Sequence, residues 1–501
     1  MTMNPVVMFS IPLLAAAAFY PSGNLVVAIL MAGAFCTAEA VVYAFLASTF
    51  PRSGGDYVFQ SRIFSGAAGT VFAFTAVVLG GAMWMGIAGW FACNMAVGPF
   101  VVLMGHRLHS SSLAGVGDWL LSRHGLFALS LVVTGWSALV NVWGMRVYAL
   151  LQRAFWITGG AALAGLAVMF FLLPAHSAAN VAVDESIVSR AVSMGFDPAR
   201  DFGFLGPTLA MIPLAAFPLI YPGWSVQQNG EIKQASRLRS QLLAIAGGEV
   251  LSIGLALLII PAVVAHFGKL NLGAGAFLFF HYRQALDPPI VPFLGMLGRE
   301  SSSAGWPLFL AAVLFNAWFW MWAPDITLAA SRVLLAMSAD RLLPRWMGEI
   351  SAGGGAPIKA VALFSAVCVV TSALYAYAGL WRLTLDAALL NVIAFAVTCA
   401  AGALFPWTKR ELYRQSTAAR YEVLGIPLIT VLGFTFLAFT GFLAWRFAID
   451  RSLALGADVS LSVAFVGAQY LFSLALYVGF RGYRRRREGA ELEVFYTLAD
   501  D

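Results

Sequence analysis

Charged residues are scarce in this sequence of 501 residues. Asp, Glu, Lys and Arg make up only 11% of the chain, whereas 60% of its residues are hydrophobic and the mean hydropathy is +0.82. A soluble globular domain needs far more charge to cover its surface, so the composition excludes an ordinary soluble protein. The chain is therefore predicted to lie in a lipid bilayer.

Residues that build catalytic centres and metal sites are also few. A membrane-embedded enzyme needs a convergent set such as Ser/His or His/Asp/Glu inside its apolar segments. The six histidines all fall outside these segments, at positions His106, His109, His124, His176, His266 and His281. The four cysteines are widely spaced within apolar runs, which is typical of packing residues rather than of disulfides or metal ligands. We expect no enzymatic activity, no metal site and no cofactor.

Apolar runs long enough to cross a bilayer as helices recur along the whole chain. The predicted spans 1 to 12 lie near residues 5–20, 25–50, 69–104, 126–144, 149–173, 204–229, 242–265, 306–337, 359–378, 387–407, 424–449 and 461–480. The predicted fold class is therefore an all-α polytopic membrane protein with about twelve transmembrane helices.

The basic residues indicate the orientation. Of the 30 Lys and Arg residues, 20 flank one side of the predicted spans, including the run from Arg481 to Arg487. Because basic loops remain in the cytoplasm, both termini are predicted to be cytoplasmic and the protein to lie in the cell membrane. The net charge of +6 then reflects topology and contact with anionic lipid at this face, and no nucleic-acid partner is expected. The acidic tail after Arg487 is predicted to be disordered.

The sixth run carries a helix break. Pro218 and Pro222 remove two backbone donors and Gly223 follows directly, so a continuous helix is not expected. Freed N–H and carbonyl groups at such a break suit a zwitterion, and the break is a candidate substrate site. The predicted substrate-binding residues here are Phe217, Tyr221, Pro222, Gly223 and Trp224. The alternative is a proline kink with the aromatic residues packed in the core.

Two other runs add aromatic candidates for the substrate site. These are Trp84 in span 3 and Trp318 and Trp322 in span 8. Asp325 shares a helical face with Trp318 and Trp322, so it is a candidate for ion coupling. Such a stripe can equally be a packing surface, and Asp325 lies two turns before Arg332, with which it could form an ion pair.

Two further carboxylates lie deep in predicted spans. Glu39 is about 16 Å into span 2 and Glu249 about 12 Å into span 7 at a helical rise of about 1.5 Å per residue. A carboxylate at such depth is costly when charged, so it must be paired, hydrated or protonated. Both are candidates for proton coupling; the alternative is a protonated side chain bonded to backbone for structural reasons.

Four short motifs follow the spans in a fixed order. They are Pro51–Tyr57 after span 2, Asn141–Arg146 before span 5, Gly230–Lys233 after span 6 and Ser331–Pro344 at the end of span 8. Through these motifs residues 1–480 resemble the amino acid–polyamine–organocation superfamily of secondary transporters. The resemblance implies a LeuT-like 5+5 inverted repeat in which spans 1 and 6 are broken. It divides the chain into a first repeat (1–173), an outer loop (174–203), a second repeat (204–407), spans 11 and 12 (408–480) and a cytoplasmic tail (481–501).

Span 1 departs from the pattern of the superfamily because its cytoplasmic half is short. Asn4, next to Pro5, stands where the break in span 1 would fall, and it is a further candidate substrate residue. Some relatives use a buried lysine on span 5 for proton coupling, but the matching register here reads Thr158-Gly-Gly160. Thr327 or Ser331 could instead help to bind sodium.

We expect a secondary active transporter that moves amino acids or related small amines by alternating access and is coupled to protons. The alternatives are a non-transporting sensor or partner subunit with the same fold, and a sodium-coupled or exchange transporter of another organic amine. The identity of the substrate and the oligomeric state are left open.

Overall fold

The structure, a computed structural model, describes residues 9–172, 185–300, 305–351, 355–450, 453, 459–489, 492, 495 and 496. Regular structure in this part of the chain is almost entirely helical. Its strands form one antiparallel hairpin, in which Glu422–Val423 pairs with Ile426–Pro427. The predicted all-α fold is confirmed. The predicted site residue Asn4 lies outside the described residues.

Ten helices in the described ranges are long and apolar enough to cross a bilayer, and they keep the numbers of the predicted spans. They are span 2 (Leu25–Thr49), span 3 (Gly66–Arg107), span 4 (Arg123–Val142), span 5 (Met145–Phe171), span 7 (Leu238–Phe267), span 8 (Trp306–Ala339), span 9 (Ile358–Tyr377), span 10 (Asp386–Thr408), span 11 (Leu428–Ile449) and span 12 (Ser460–Glu488).

Shorter helices connect the spans. The α-helices among them are Gly55–Ile63, Ser111–Leu120, Glu185–Ser193, Lys269–His281, Pro292–Glu300 and Arg410–Gln415. Single 3₁₀ turns occur at Gly203–Leu205, Arg283–Ala285, Arg345–Gly348, Leu380–Leu383 and Thr417–Arg420.

Spans 1 and 6 are each built from short pieces. The described part of span 1 is a π-helix, Phe9–Ala15, followed by an α-helix, Ala16–Phe19. In span 6 the α-helices Gly206–Ala210 and Ile212–Ala216 end before Phe217, and a 3₁₀ helix runs from Pro222 to Glu231. The break predicted from the two prolines of span 6 is therefore confirmed.

The packing of the long spans places the break near the centre of the molecule. Span 8 packs along span 5 and also contacts spans 4 and 9, while span 2 lies against spans 7 and 11. The 3₁₀ helix of span 6 contacts both span 2 and span 8. Span 3 is largely enclosed by its neighbours. The freed backbone of span 6 is thus surrounded by protein.

The acidic composition of the C-terminal tail predicted disorder, but part of the tail is ordered. Span 12 continues as a helix to Glu488, and Leu492 and Tyr496 are buried. The ring of Tyr496 packs against Gly66, and Arg62 lies over the same ring at 5.7 Å from its centre. The prediction of a disordered tail was wrong for these residues, because aromatic side chains in the tail find apolar and cationic partners on the helical body.

Candidate functional site

A cavity of about 80 Å³ lies beside the break in span 6. Its walls come from spans 3, 5, 6 and 8. The lining residues are Trp84, Tyr148, Phe217, Pro218, Tyr221, Trp224, Ser225, Gln227, Gln228, Trp322, Asp325, Ile326, Leu328 and Ala329. The volume holds several water molecules but is below the roughly 300–1,000 Å³ of most ligand pockets. Binding of an amino acid therefore requires side chains or helices to move.

Edge-to-face aromatic contacts form one wall of the cavity. The ring of Trp84 lies 5.5 Å from that of Phe217 and 6.2 Å from that of Tyr221, both nearly perpendicular to it. Tyr221 in turn lies 6.2 Å from Trp224. Trp322 enters from span 8 and contacts Phe91 of span 3 at 5.7 Å. The break in span 6 and two aromatic residues predicted from distant runs thus meet at one place.

Three polar groups on this wall have no hydrogen-bond partner among the described residues. Trp84 Nε1, Tyr221 Oη and Trp224 Nε1 are buried and make no hydrogen bond within the described part of the chain. A buried donor without an acceptor is costly, so such groups in a cavity wall are available to a ligand or to water.

Asp325 lines the cavity and is held by span 5. Its Oδ1 accepts hydrogen bonds from Tyr148 Oη and from Gln152 Nε2, the latter at 2.7 Å. The ion pair between Asp325 and Arg332, considered from their spacing, is not formed, because Arg332 donates to Glu231 at 2.5 Å. The carboxylate of Asp325 therefore faces span 5 and the cavity.

Several of the predicted residues lie away from the cavity wall. Gly223 packs against the ring of Tyr43 on span 2, where an added Cβ would lie 2.6 Å from Cε1. Pro222 starts the 3₁₀ helix but is not among the lining residues. Trp318 is buried against span 5, with its Nε1 at 2.4 Å from the position of a Cβ on Gly159. These three residues are not among those that line the cavity, and the contacts described for them are structural.

Glu39 and Glu249 come together between spans 2 and 7. Both side chains are fully buried, and within the described residues none of their four carboxylate oxygens has a hydrogen-bond partner. Glu39 is close enough to feel the charge of Glu249. The two spans are in direct contact two turns away, where Gly33 meets Ile253. Two isolated glutamates of the sequence thus lie buried on neighbouring spans, and we call them the Glu39–Glu249 pair.

Two other kinds of ion site were considered, a sodium site on span 8 and a metal site. Ser331 Oγ, considered as a sodium ligand, donates to the carbonyl of Leu328 in its own helix at 2.8 Å. Among the described residues, no three His, Cys, Asp or Glu side chains are grouped so as to hold a metal ion.

Asp56, from the motif after span 2, is a fully buried acceptor below the cavity. It accepts hydrogen bonds from Tyr43 Oη at 2.5 Å, Gln227 Nε2 at 2.6 Å and Thr398 Oγ1 at 2.6 Å. Burial raises the pKa of Asp56 to about 6, although the three donors act in the opposite direction. A single carboxyl group thereby ties spans 2, 6 and 10 together.

Two glycines allow this loop to approach so closely. Gly54 and Gly55 have φ angles of 102° and 30°, a region that favours glycine. A Cβ on Gly54 would lie 2.5 Å from Ala336, and one on Gly55 would lie 2.5 Å from Val226. The N–H of Gly54 donates to the carbonyl of Gln227 at 2.8 Å. The Gly-Gly pair therefore fits the loop between spans 6 and 8.

Ion pairs formed by buried arginines connect the other motifs. Arg62 pairs with Asp340 at 2.5 Å, which joins the helix after span 2 to the end of span 8. Arg332 pairs with Glu231 of the motif after span 6. Together with the Asp56 contacts, we call these two ion pairs the loop network. The motif Asn141–Arg146 lies outside this network, and its Asn141 Nδ2 donates to the carbonyl of Pro324 at 3.0 Å.

Comparison with known families agrees with this architecture. The family model described as amino acid permease matches residues 1–466. The chain belongs to the amino acid permease family. A search of the curated proteins gave no match. The permease is thus a multi-pass membrane protein of a family of amino acid transporters, and its cavity is the place to look for the substrate.

Sequence reasoning missed several lining residues of the permease. Gln227 and Gln228 belong to a polar run inside an apolar segment, and that run was a usable signal. Tyr148 gave none, because its contact with Asp325 depends on how span 5 is rotated against span 8. Helical periodicity predicts which residues share a face but not which helix that face meets.

Proposed function

We propose that the permease is a secondary active transporter that moves amino acids or related small amines across the cell membrane by alternating access, driven by protons. The observation that carries the proposal is the cavity at the broken span 6, where backbone freed from helical pairing meets aromatic residues of spans 3, 6 and 8. Transporters commonly place their substrates at such breaks. The proposed activity is binding and translocation without a catalytic step.

The residues proposed to contact the substrate are those predicted residues that also line the cavity. They are Trp84, Phe217, Tyr221, Trp224 and Trp322. Their unpaired donors would bind the carboxylate of an amino acid, and their rings would enclose its side chain.

The Glu39–Glu249 pair is the proposed proton-coupling site. If both side chains were ionised, two like charges would lie at membrane depth with no hydrogen bond from the described part of the chain. Such a state is costly, so at least one of the two carboxyl groups should be protonated. A pair in this setting is suited to take up a proton and release it when the surroundings change. Tyr43, one turn after Glu39 on span 2, packs against Gly223, which lies two residues after the cavity residue Tyr221, so the proton site and the substrate site can influence each other.

We place the loop network at the cytoplasmic face, with both termini on that side and with spans 1–5 and 6–10 as LeuT-like inverted repeats. The network supports this arrangement because its ion pairs join the segments that follow spans 2, 6 and 8. Opening the cavity toward this face would require these buried pairs to separate. An intact network therefore corresponds to a closed cytoplasmic side.

The test is uptake of pooled labelled amino acids and polyamines into proteoliposomes, with and without an inward proton gradient. Wild type is compared with Glu39→Gln and Glu249→Gln. The matched control is Glu349→Gln, which removes a carboxylate from an exposed pair with Lys359. We expect wild type and control to accumulate substrate only with the gradient. The two Gln variants should lose accumulation but retain exchange of substrate across the membrane.

If accumulation does not depend on the proton gradient but does depend on a sodium gradient, the coupling ion is sodium and the proposal of proton coupling is wrong. If both Gln variants retain gradient-driven uptake, Glu39 and Glu249 do not take part in proton coupling. If folded wild-type protein takes up no member of the pool, the transport proposal fails and a sensor with this fold becomes the better hypothesis.

A further inference from the structure

We propose that the permease selects amino acids with a basic side chain, and that Asp325 holds the cationic group of that side chain. The proposal depends on the chemistry of the cavity, which combines one carboxylate, aromatic walls and unpaired donors. It rests on the proposed transport function, because it names the substrate class of the same cavity.

Charge balance is the first argument. Among the described residues that line the cavity, Asp325 is the only Asp, Glu, Lys, Arg or His. Net charge at membrane depth is costly. A neutral zwitterion would leave the occupied cavity with the negative charge of an ionised Asp325, whereas a basic amino acid would bring the net charge to zero. The carboxylate in the cavity wall thus favours a substrate that carries an additional positive charge.

The second argument is the geometry of the Asp325 carboxylate. Tyr148 Oη and Gln152 Nε2 both donate to Oδ1, which fixes the orientation of the group. Oδ2 accepts neither of these bonds, and the Asp325 side chain is only partly buried where it lines the cavity. An ammonium or guanidinium group can therefore bond to Oδ2 without displacing either donor.

Aromatic rings supply the third argument. Trp322 lies one turn before Asp325 on span 8, and Tyr221 and Trp224 line the cavity from span 6. Trp and Tyr faces attract cations, and a ring wall next to a carboxylate is a common way to bind an organic cation in a place with little water. In this cavity the aromatic wall and the carboxylate therefore favour the same kind of ligand.

The unpaired donors distinguish a basic amino acid from a simple amine. Trp84 Nε1, Tyr221 Oη and Trp224 Nε1 are buried without an acceptor in the described residues. A substrate carboxylate supplies acceptors for such donors, and an amine without a carboxylate does not. The substrate class that uses both the donors and Asp325 is the amino acid with a cationic side chain.

The test uses pairs of amino acids of similar shape and different charge: arginine with citrulline, and lysine with norleucine. Each is added as a competitor of counterflow uptake into proteoliposomes. We expect the basic member of each pair to inhibit wild type at a concentration about tenfold lower than its neutral partner, the effect of one charged hydrogen bond. Asp325→Asn should abolish this preference, so that the basic and the neutral member of each pair inhibit at similar concentrations.

Two further variants keep the result interpretable. Asp325→Glu retains the charge and should retain the preference for basic amino acids. Asp386→Asn is the matched control, since Asp386 also lies at a transmembrane helix but accepts a hydrogen bond from Ser462 and does not line the cavity. It should behave as wild type.

Equal inhibition by both members of each pair in wild type, or a preference that survives Asp325→Asn, would overturn the inference. Inhibition by pentylamine without inhibition by lysine would overturn the assignment to amino acids. If nothing is transported, the proposed function fails on its own. Thermal stabilisation of the purified permease by arginine but not citrulline, lost in Asp325→Asn, would then still support the binding inference, and its absence would refute it.

Discussion

Gly223→Ala would place a methyl group against the ring of Tyr43. The added Cβ would lie 2.6 Å from Cε1, 2.7 Å from Cζ and 2.9 Å from Oη of this fully buried side chain. Phe59 and Phe395 flank the ring, each at 6.3 Å, and limit its movement. Because the Tyr43 hydroxyl donates to Asp56 at 2.5 Å, a displaced ring also threatens the loop network.

The magnitude follows from these two effects. Overpacking of a close-packed core costs about 1–3 kcal/mol. Loss of the hydrogen bond from Tyr43 to the buried Asp56 carboxyl group adds about 1.5–3 kcal/mol. If the ring shifts with its hydrogen bond intact, only the first contribution remains. We therefore expect Gly223→Ala to lower the free energy of unfolding by about 1–6 kcal/mol, and by about 2.5 kcal/mol if both effects act at their lower values.

A double-mutant cycle measures this coupling by equilibrium unfolding in mixed micelles, followed by circular dichroism. Tyr43→Leu removes the ring atoms that the methyl group would meet, so Gly223→Ala in that background should cost less than about 0.5 kcal/mol. Gly254→Ala is the control, because a Cβ at Gly254 meets nothing within 4 Å. If Gly223→Ala is equally destabilising with and without Tyr43, the steric explanation for this glycine is refuted.

Three other perturbations test the loop network and the tail. Glu231→Gln leaves the buried Arg332 without its charged partner, and because Glu231 itself is partly exposed it should cost about 1–3 kcal/mol in unfolding experiments; a loss below about 0.5 kcal/mol would contradict this. Because burial raises the pKa of Asp56 from 3.8 to about 6, the stability of wild type relative to Asp56→Asn should be highest below pH 3.8. It should fall by about 3 kcal/mol as the pH rises through 6, and a flat difference would refute the raised pKa. Gly66→Ala puts a Cβ 1.9 Å from the Tyr496 ring, so it should release the tail and speed hydrogen exchange there, and unchanged exchange would exclude the docked tail.

The spans were predictable because a bilayer requires about 20 apolar residues for each crossing helix. The break was predictable for a similar reason, since Pro218 and Pro222 cannot support a continuous helix whatever surrounds them. Once the break was located, Phe217, Tyr221 and Trp224 followed as cavity residues by proximity in the sequence, and the structure places all three on the cavity wall.

Contacts between distant spans could not be predicted in the same way. The need for glycine at position 223 is set by Tyr43, which lies 180 residues earlier on another span. Trp318 and Trp322 are one turn apart, yet only Trp322 lines the cavity while Trp318 packs against span 5. The rotation of span 8 about its axis decides which neighbours these side chains meet, and it is determined by side-chain packing between helices rather than by the periodicity of either helix.

The positions of Glu39, Tyr43 and Gly223 suggest how a proton could act on the cavity and on the loop network together. Glu39 lies four residues before Tyr43, so both project from one face of span 2 toward span 6. Tyr43 contacts Gly223 at the break and donates a hydrogen bond to Asp56 in the loop network. A change of charge at the Glu39–Glu249 pair therefore occurs one helical turn from the residue that joins the break to the loop network. Since coupling between two sites is reciprocal, a substrate that binds more tightly after proton uptake must favour proton uptake by the same factor. Under the proposed proton coupling, one face of span 2 would thus link the Glu39–Glu249 pair to the break and to the loop network.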